Sequence, residues 1–196
     1  EPAITPSSFT PKLKVASIDT ESDSKGNLLC VGIHAPPFSK TFMITSNNNL
    51  KNVIPCKTES EALEKFKSEI IKLDPDVITG WNVIDFDFQL LRSLFHKNKI
   101  PFDIGRTNDE PRLRIEENFF RSSSINLPGR QVLDGLNLIR DPLVKNSPIM
   151  KNFNPETLTL EDVSQAILQK GKLLKGATKQ EEIEKLYRTN QQKLAD

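Results

Sequence analysis

Two short acidic patterns are the residues in this chain best placed to do chemistry. The first is Asp19-Thr20-Glu21, at the end of an apolar run that begins near Lys14. Alternate side chains of a strand share a face, so Asp19 and Glu21 point one way while Ile18 points the other. Two carboxylates on one face could hold a hard divalent cation through oxygen ligands. An acid-x-acid pair at a strand end can equally be two solvated carboxylates. The second pattern runs from Asp76 to Asp87, Asp76-Val77-Ile78-Thr79-Gly80-Trp81-Asn82-Val83-Ile84-Asp85-Phe86-Asp87. An apolar strand enters Gly-Trp-Asn there, and Asp87 opens a helix whose dipole favours a negative charge. Asp85 or Asp87 taken alone could be no more than a helix cap.

The elements around these patterns form an α/β chain. Lys14 to Asp19, Leu28 to His34 and Lys40 to Ile44 are short and apolar or β-branched, and turn-rich pieces separate them, which predicts a three-strand meander. Thr58 with Glu61 is a capping-box signature, followed by Leu63, Phe66, Ile70 and Leu73 at helical spacing. Asp74-Pro75 ends that helix, Asp76 to Gly80 reads as another strand, and Phe86 to Phe95 carries Leu90, Leu91 and Leu94 on a helical stripe. Strand, helix, strand, helix is an α/β signature. Between Pro101 and Gly129 the periodicity weakens, and Arg112 to Phe120 is expected to pair with Arg130 to Leu133 as a hairpin or long insertion. Helices are expected to start at Thr159 with Asp162 and at Thr178 with Glu181, and the last should run to the terminus.

Composition bounds the rest. The 196 residues are 36% hydrophobic and 27% charged, as in a globular protein. Lys and Arg number 27 against 26 Asp and Glu, a net charge of +1, so any nucleic-acid contact must be local. Cys30 and Cys56 are too few for a disulfide framework, which favours a reducing compartment. No stretch reaches the roughly 20 apolar residues of a membrane span, and the chain reads as soluble and cytoplasmic, with no membrane partner. Pro2, Pro6 and Pro11 mark residues 1–12 as a linker from an upstream domain, with residues 13–196 as the folded domain.

Together, Asp19-x-Glu21 at the end of a first strand and Asn82-x-x-x-Phe86-Asp87 after a strand ending in Gly80-Trp81 resemble the first two motifs of the 3′-to-5′ exonuclease domain of family B DNA polymerases. Leu13 to Asp19, Asp74 to Asp87 and Gly105-Arg106-Thr107-Asn108-Asp109-Glu110 are in the style of the family's bacterial polymerase II branch. The resemblance implies a ribonuclease H-like fold, a mixed central sheet flanked by helices with a β-hairpin insertion. It implies proofreading, the removal of 3′-terminal nucleotides from a single-stranded DNA end for a polymerase domain of the same chain. Its cofactors would be two divalent ions, Mg²⁺ or Mn²⁺. Asp19 would bridge both, Glu21 would ligate one and orient the attacking water, and Asp87 would act at the second, largely through water. Asp19 and Glu21 on the middle strand and Asp87 on a facing helix should converge on one cleft.

Among the positions beside the acids, Asn82 would hydrogen-bond the nucleotide and Phe86 would stack on a base. The family usually has an apolar residue between its two acids and a Thr after them; this chain has Thr20 and Ser22, and Ser22 keeps the hydroxyl that would face DNA. The family's third motif, Tyr-x-x-x-Asp, has no match, because Tyr187 is followed four residues later by Gln191. Lys193-Leu194-Ala195-Asp196 resembles what immediately precedes that motif, so the expectation is a domain stopping just short of it. Such a fragment should be weak or inactive. A non-catalytic DNA-binding or structural module, and a free-standing exonuclease, are the competing readings. His34 and His96 read as surface or boundary residues, Asp134 as a turn or helix cap, and Lys170, Lys172, Lys175 and Lys179 as a solvated basic face.

Overall fold

A computed structural model describes residues 5–116, 122–150, 157–168 and 179–195. The expected meander forms as β1 (Val15–Ser22), β2 (Leu28–Ala35) and β3 (Phe38–Ile44). Asp23 makes the first turn by accepting from the backbone N–H of Lys25 and Asn27, and Gly26 adopts φ +78° beyond it. A residue with a Cβ would be strained there. The short strand β4 (Val53–Cys56) then lies parallel to β3.

Helix α1 (Glu59–Leu73) starts where the capping residues place it. Thr58 Oγ1 accepts from the N–H of Glu61 at 3.2 Å, and Ala62, Leu63, Phe66 and Ile70 form the buried stripe. Asp74 ends the helix in the left-handed conformation, before the proline that could not continue it. β5 (Val77–Gly80) follows parallel to β1, and β8 (Gln131–Asp134) lies parallel outside β5. The sheet order is β4-β3-β2-β1-β5-β8, mixed in direction, with β1 in its interior.

The two faces of β1 do different work. Ala16 and Ile18 join Phe66, Phe88 and Leu91 in the core under α1 and α2 (Gln89–Lys97). The opposite face carries Asp19 and Glu21. Over it lie α6 (Lys179–Thr189) and α7 (Gln191–Ala195): Tyr187 donates to Ile44 O, and Thr41 Oγ1 donates to Ala195 O. Sheet and helices thus make an α/β fold flanked on both faces. Among the described residues no helix is long and apolar enough to cross a membrane.

The hairpin forms with a different partner from the one the sequence indicated. β6 (Arg112–Arg114) pairs antiparallel with β7 (Ser124–Asn126), while Arg130 to Leu133 belongs to the main sheet. The reason is packing: Val132 is buried in register with Ile78, and Gly129 at φ +75° turns the chain from Leu127 into β8. Leu113 and Ile125 pack against the core, which anchors the hairpin's base. Phe120 lies outside the described residues, as do Thr178, Lys170, Lys172 and Lys175. Two short helices, α3 (Gly135–Arg140) and α4 (Pro142–Lys145), follow β8, and α5 (Leu160–Leu168) begins at Thr159, whose Oγ1 accepts from the N–H of Asp162.

Arg130 ties these pieces together. Its side chain is 1% exposed and bonds Asp74 Oδ1 at 2.7 Å, Pro75 O at 2.6 Å and Ile104 O at 3.0 Å. Arg106 and then Arg130 hold the Asp74 carboxyl down to about 2. Arg130→Ala would leave Asp74 to Arg106 but take the buried donor from the carbonyls of Pro75 and Ile104, and each buried polar group left unsatisfied costs about 1–3 kcal/mol. A urea melt of that variant should therefore show a loss of about 3 kcal/mol. Arg106→Ala, at a solvated pair, should lose less than Arg130→Ala does.

Candidate active site

At the end of β1 the alternation holds: Asp19 is exposed, Glu21 is half-buried, and Thr20 between them is buried on the core side. The pairing with β2 shifts register between Glu21 and Ser22, an irregularity that re-aims side chains at a strand end. Opposite Asp19 on β2 stands Gly32, so no side chain rises beside the acid. The result is an open cleft of about 310 Å³, lined by Asp19, Glu21, Gly32, Lys40, Thr41 and, from α7, Leu194. Cys30 lies buried in its wall. Burial, helped by the charges of Glu21 and Asp19, drives its thiol far above the ordinary range, so it is no nucleophile.

The second segment is built around close approach. A Cβ on Gly80 would sit 2.8 Å from Ile18 O and 2.9 Å from Val83 Cβ, so only glycine lets β5 leave the sheet beside β1 here. Asn82 adopts φ +57°. Asp134, buried at the end of β8, fixes the loop by accepting from the N–H of Asn82 at 3.1 Å and of Ile84 at 3.0 Å. The same carboxylate caps α3 through the N–H of Leu136 at 2.9 Å. The sequence indicates the cap; the grip on the Asn82 loop depends on a contact 52 residues away in the chain.

Ile84–Phe88 then forms a π-helical turn running into α2 rather than a regular helix opening at Asp87. Such turns recur at functional sites. Phe86 points outward at 43% exposure, while Asp87, at 1%, turns inward. Asp87 Oδ1 accepts from both the N–H and the Oγ1 of Thr20, each at 2.7 Å. Burial pushes its carboxyl up to about 7; the Thr20 bonds oppose the rise and the neighbouring Asp19 charge adds to it.

The structure thus brings Asp19 and Glu21 into one cleft and couples Asp19 electrostatically to Asp87. Asp87 itself is not among the cleft's lining residues, and the expected convergence of all three is incomplete. The physical reason is its commitment to Thr20. Among the described residues no three acidic, histidine or cysteine side chains are gathered closely enough to hold a metal ion. The donor chemistry suits a hard divalent cation, all carboxylate oxygens, but as a partial set. Ser22 is 8% exposed, and its carbonyl accepts from Gln180 Nε2 at 2.6 Å, so it supports the strand end and offers DNA little surface. His34 is exposed and bonded to Ser39, and His96 pairs with Glu110 at the surface. His34 nonetheless lines the cleft that holds Asp19 and Glu21; His96 does not.

Residues 4–147 match the family described as DNA polymerase family B, exonuclease domain. This chain belongs to that family. Over 171 residues it is 29% identical to DNA polymerase II of Escherichia coli (strain K12), an alignment covering 84% of this chain and 20% of that one. It is 34% identical over 98 residues to the DNA polymerase delta catalytic subunit of Dictyostelium discoideum, covering 45% of this chain and 9% of that one. The family B DNA polymerase from Pyrobaculum calidifontis superimposes with a TM-score of 0.70 over 97% of this chain and 23% of its own, at 14% identity. That likeness shows the fold. The exonuclease domain therefore has the ribonuclease H-like architecture that its sheet order displays, and it spans about a fifth of the polymerase II it matches.

Proposed function

We propose that this exonuclease domain hydrolyses 3′-terminal nucleotides of DNA as the proofreading part of a longer DNA-directed DNA polymerase. The observation that carries the proposal is the pair Asp19 and Glu21, side by side in an open cleft, with the carboxyl of Asp87 coupled to Asp19 beneath it. Two divalent cations, Mg²⁺ or Mn²⁺, would activate a water and stabilise the attacking and leaving oxygens. Asp19 would hold both, Glu21 one of them and the water, and Asp87 would serve the second. Phe86, exposed beside Asp87, would stack on a base of the frayed single strand. Asn82, held by Asp134, would meet the nucleotide. Tyr187 donates to Ile44 O, and this sequence has no match to the third motif's Tyr-x-x-x-Asp.

The test is degradation of a 5′-labelled single-stranded oligonucleotide by the full-length protein. Loss of one nucleotide at a time from the 3′ end, dependent on Mg²⁺ and stopped by EDTA, is the expected result. Internal cleavage, or digestion that survives EDTA, would sink the proposal. The burial of Asp87, only 1% exposed, favours one second reading, a module that binds DNA without cutting it. DNA binding by the full-length protein without any Mg²⁺-dependent shortening would establish that instead.

A further inference from the structure

On the face of the sheet that carries Asp19 and Glu21, β2 contributes His34 to the same cleft. Ser17 of β1 stands directly opposite His34, and Asp19 opposite Gly32, so His34 lies one diagonal step from Asp19. Such a step is about 7–8 Å. Gly32 puts no side chain between the two, and Ser39 lines the cleft beside His34. Lys40 lines it as well, but its ammonium is turned to Asn52 Oδ1 at 3.3 Å. The imidazole is exposed, and its orientation is set through Nδ1, 3.2 Å from Ser39 Oγ. When Ser39 donates that bond, Nε2 carries the proton. An N–H there, with the hydroxyl of Ser17 opposite, suits a phosphate oxygen.

With the cut made at Asp19 and Glu21, the scissile phosphate lies over β1. A 3′-terminal nucleotide ends in a hydroxyl, so the only phosphate beside the scissile one is the next toward the 5′ end, one nucleotide away. Asn82 and Phe86 follow β5, on one side of β1, whereas His34 is on β2, on the other. We infer that His34 binds the second phosphodiester of the DNA strand, counted from its 3′ end, while the Asn82 loop takes the terminal nucleotide. The inference rests on the proposed exonuclease reaction. It deepens that reading by giving the cleft a direction and a phosphate subsite.

The experiment uses the full-length protein and its His34→Ala and His34→Gln variants in Mg²⁺. Release of the first nucleotide is measured on a single-stranded oligonucleotide, and on the same strand with an uncharged methylphosphonate at the second linkage from the 3′ end. The p-nitrophenyl ester of thymidine 5′-phosphate, which holds a single phosphodiester, is the third substrate. His34→Ala is expected to raise KM on the oligonucleotide about 10-fold at unchanged kcat, the effect of losing one hydrogen bond to a charged group. His34→Gln, which keeps an N–H at that reach, should recover most of it. The methylphosphonate should raise the wild-type KM by a similar factor and add nothing to the loss in His34→Ala. On the ester the three proteins should be equal. Equal KM values for wild type and His34→Ala on the oligonucleotide overturn the inference. So does a loss that is as large on the ester, or one that adds in full to that of the methylphosphonate. If the wild type cleaves neither the strand nor the ester, the exonuclease reading fails and takes the inference with it.

Discussion

Asp19→Ala is expected to lower exonuclease turnover on the order of 1,000-fold, more than the 10–100-fold that loss of an outer-shell partner costs, because Asp19 would touch the cations directly. Its position decides that. It is the exposed member of the strand-end pair, in the open cleft, with Gly32 rather than a side chain opposite. Stability should barely change, since exposed substitutions usually lie within about 0.5 kcal/mol. Removing the charge should even relieve the repulsion that helps raise the Asp87 carboxyl. The measurement is single-turnover degradation of labelled single-stranded DNA in Mg²⁺ by the full-length protein and its Asp19→Ala variant, beside urea melts of both. Wild-type turnover in the variant would mean that Asp19 does not bridge the ions, and the proposed mechanism would have to be abandoned.

The strand-end pair is the feature most directly legible in the sequence. A period of two puts Asp19 and Glu21 on one face whatever the rest of the chain does, and the structure puts both in one cleft. The start of α1 was equally legible, because Thr58 and Glu61 meet within one turn of backbone. What escaped depends on distant contacts. Alternation says that Thr20 points into the core, and nothing local says that it meets Asp87 there. Nor does a helical stripe through Leu90, Leu91 and Leu94 reveal that the turn before it is a π turn carrying Asp87 inward and Phe86 outward. The hairpin's partner was misassigned for a related cause. Val132 and Leu133 look like any half-buried strand, and a short turn at Pro128-Gly129 invites a local partner. Their true neighbour is β5, parallel and more than 50 residues earlier.

Asp87 also predicts how stability depends on pH. An unfolded chain releases this proton near 3.8, and the folded one holds it to about 7. Between those values the native state keeps a proton that the unfolded state has lost, so stability falls as pH rises through that window. The protonated form's advantage is fully present below about 4 and gone above about 7. A rise of that size corresponds to on the order of 4 kcal/mol at alkaline pH, opposed by the Thr20 bonds already counted in it. Asparagine keeps an acceptor for Thr20 and carries no charge at any pH. In EDTA, urea melts at pH 5 and pH 8.5 should thus show the wild type losing on the order of 3 kcal/mol relative to Asp87→Asn, with the variant ahead at the higher pH. A divalent cation acts in the opposite sense, because it needs the carboxylate. Mg²⁺ should raise the wild-type melting temperature more at pH 8.5 than at pH 5, and should leave Asp87→Asn nearly unchanged at both. Parallel pH profiles for the two proteins in EDTA would mean that Asp87 is ionised in the folded state across the neutral range. Its burial against Thr20 would then have to be compensated by a partner beyond the two Thr20 bonds.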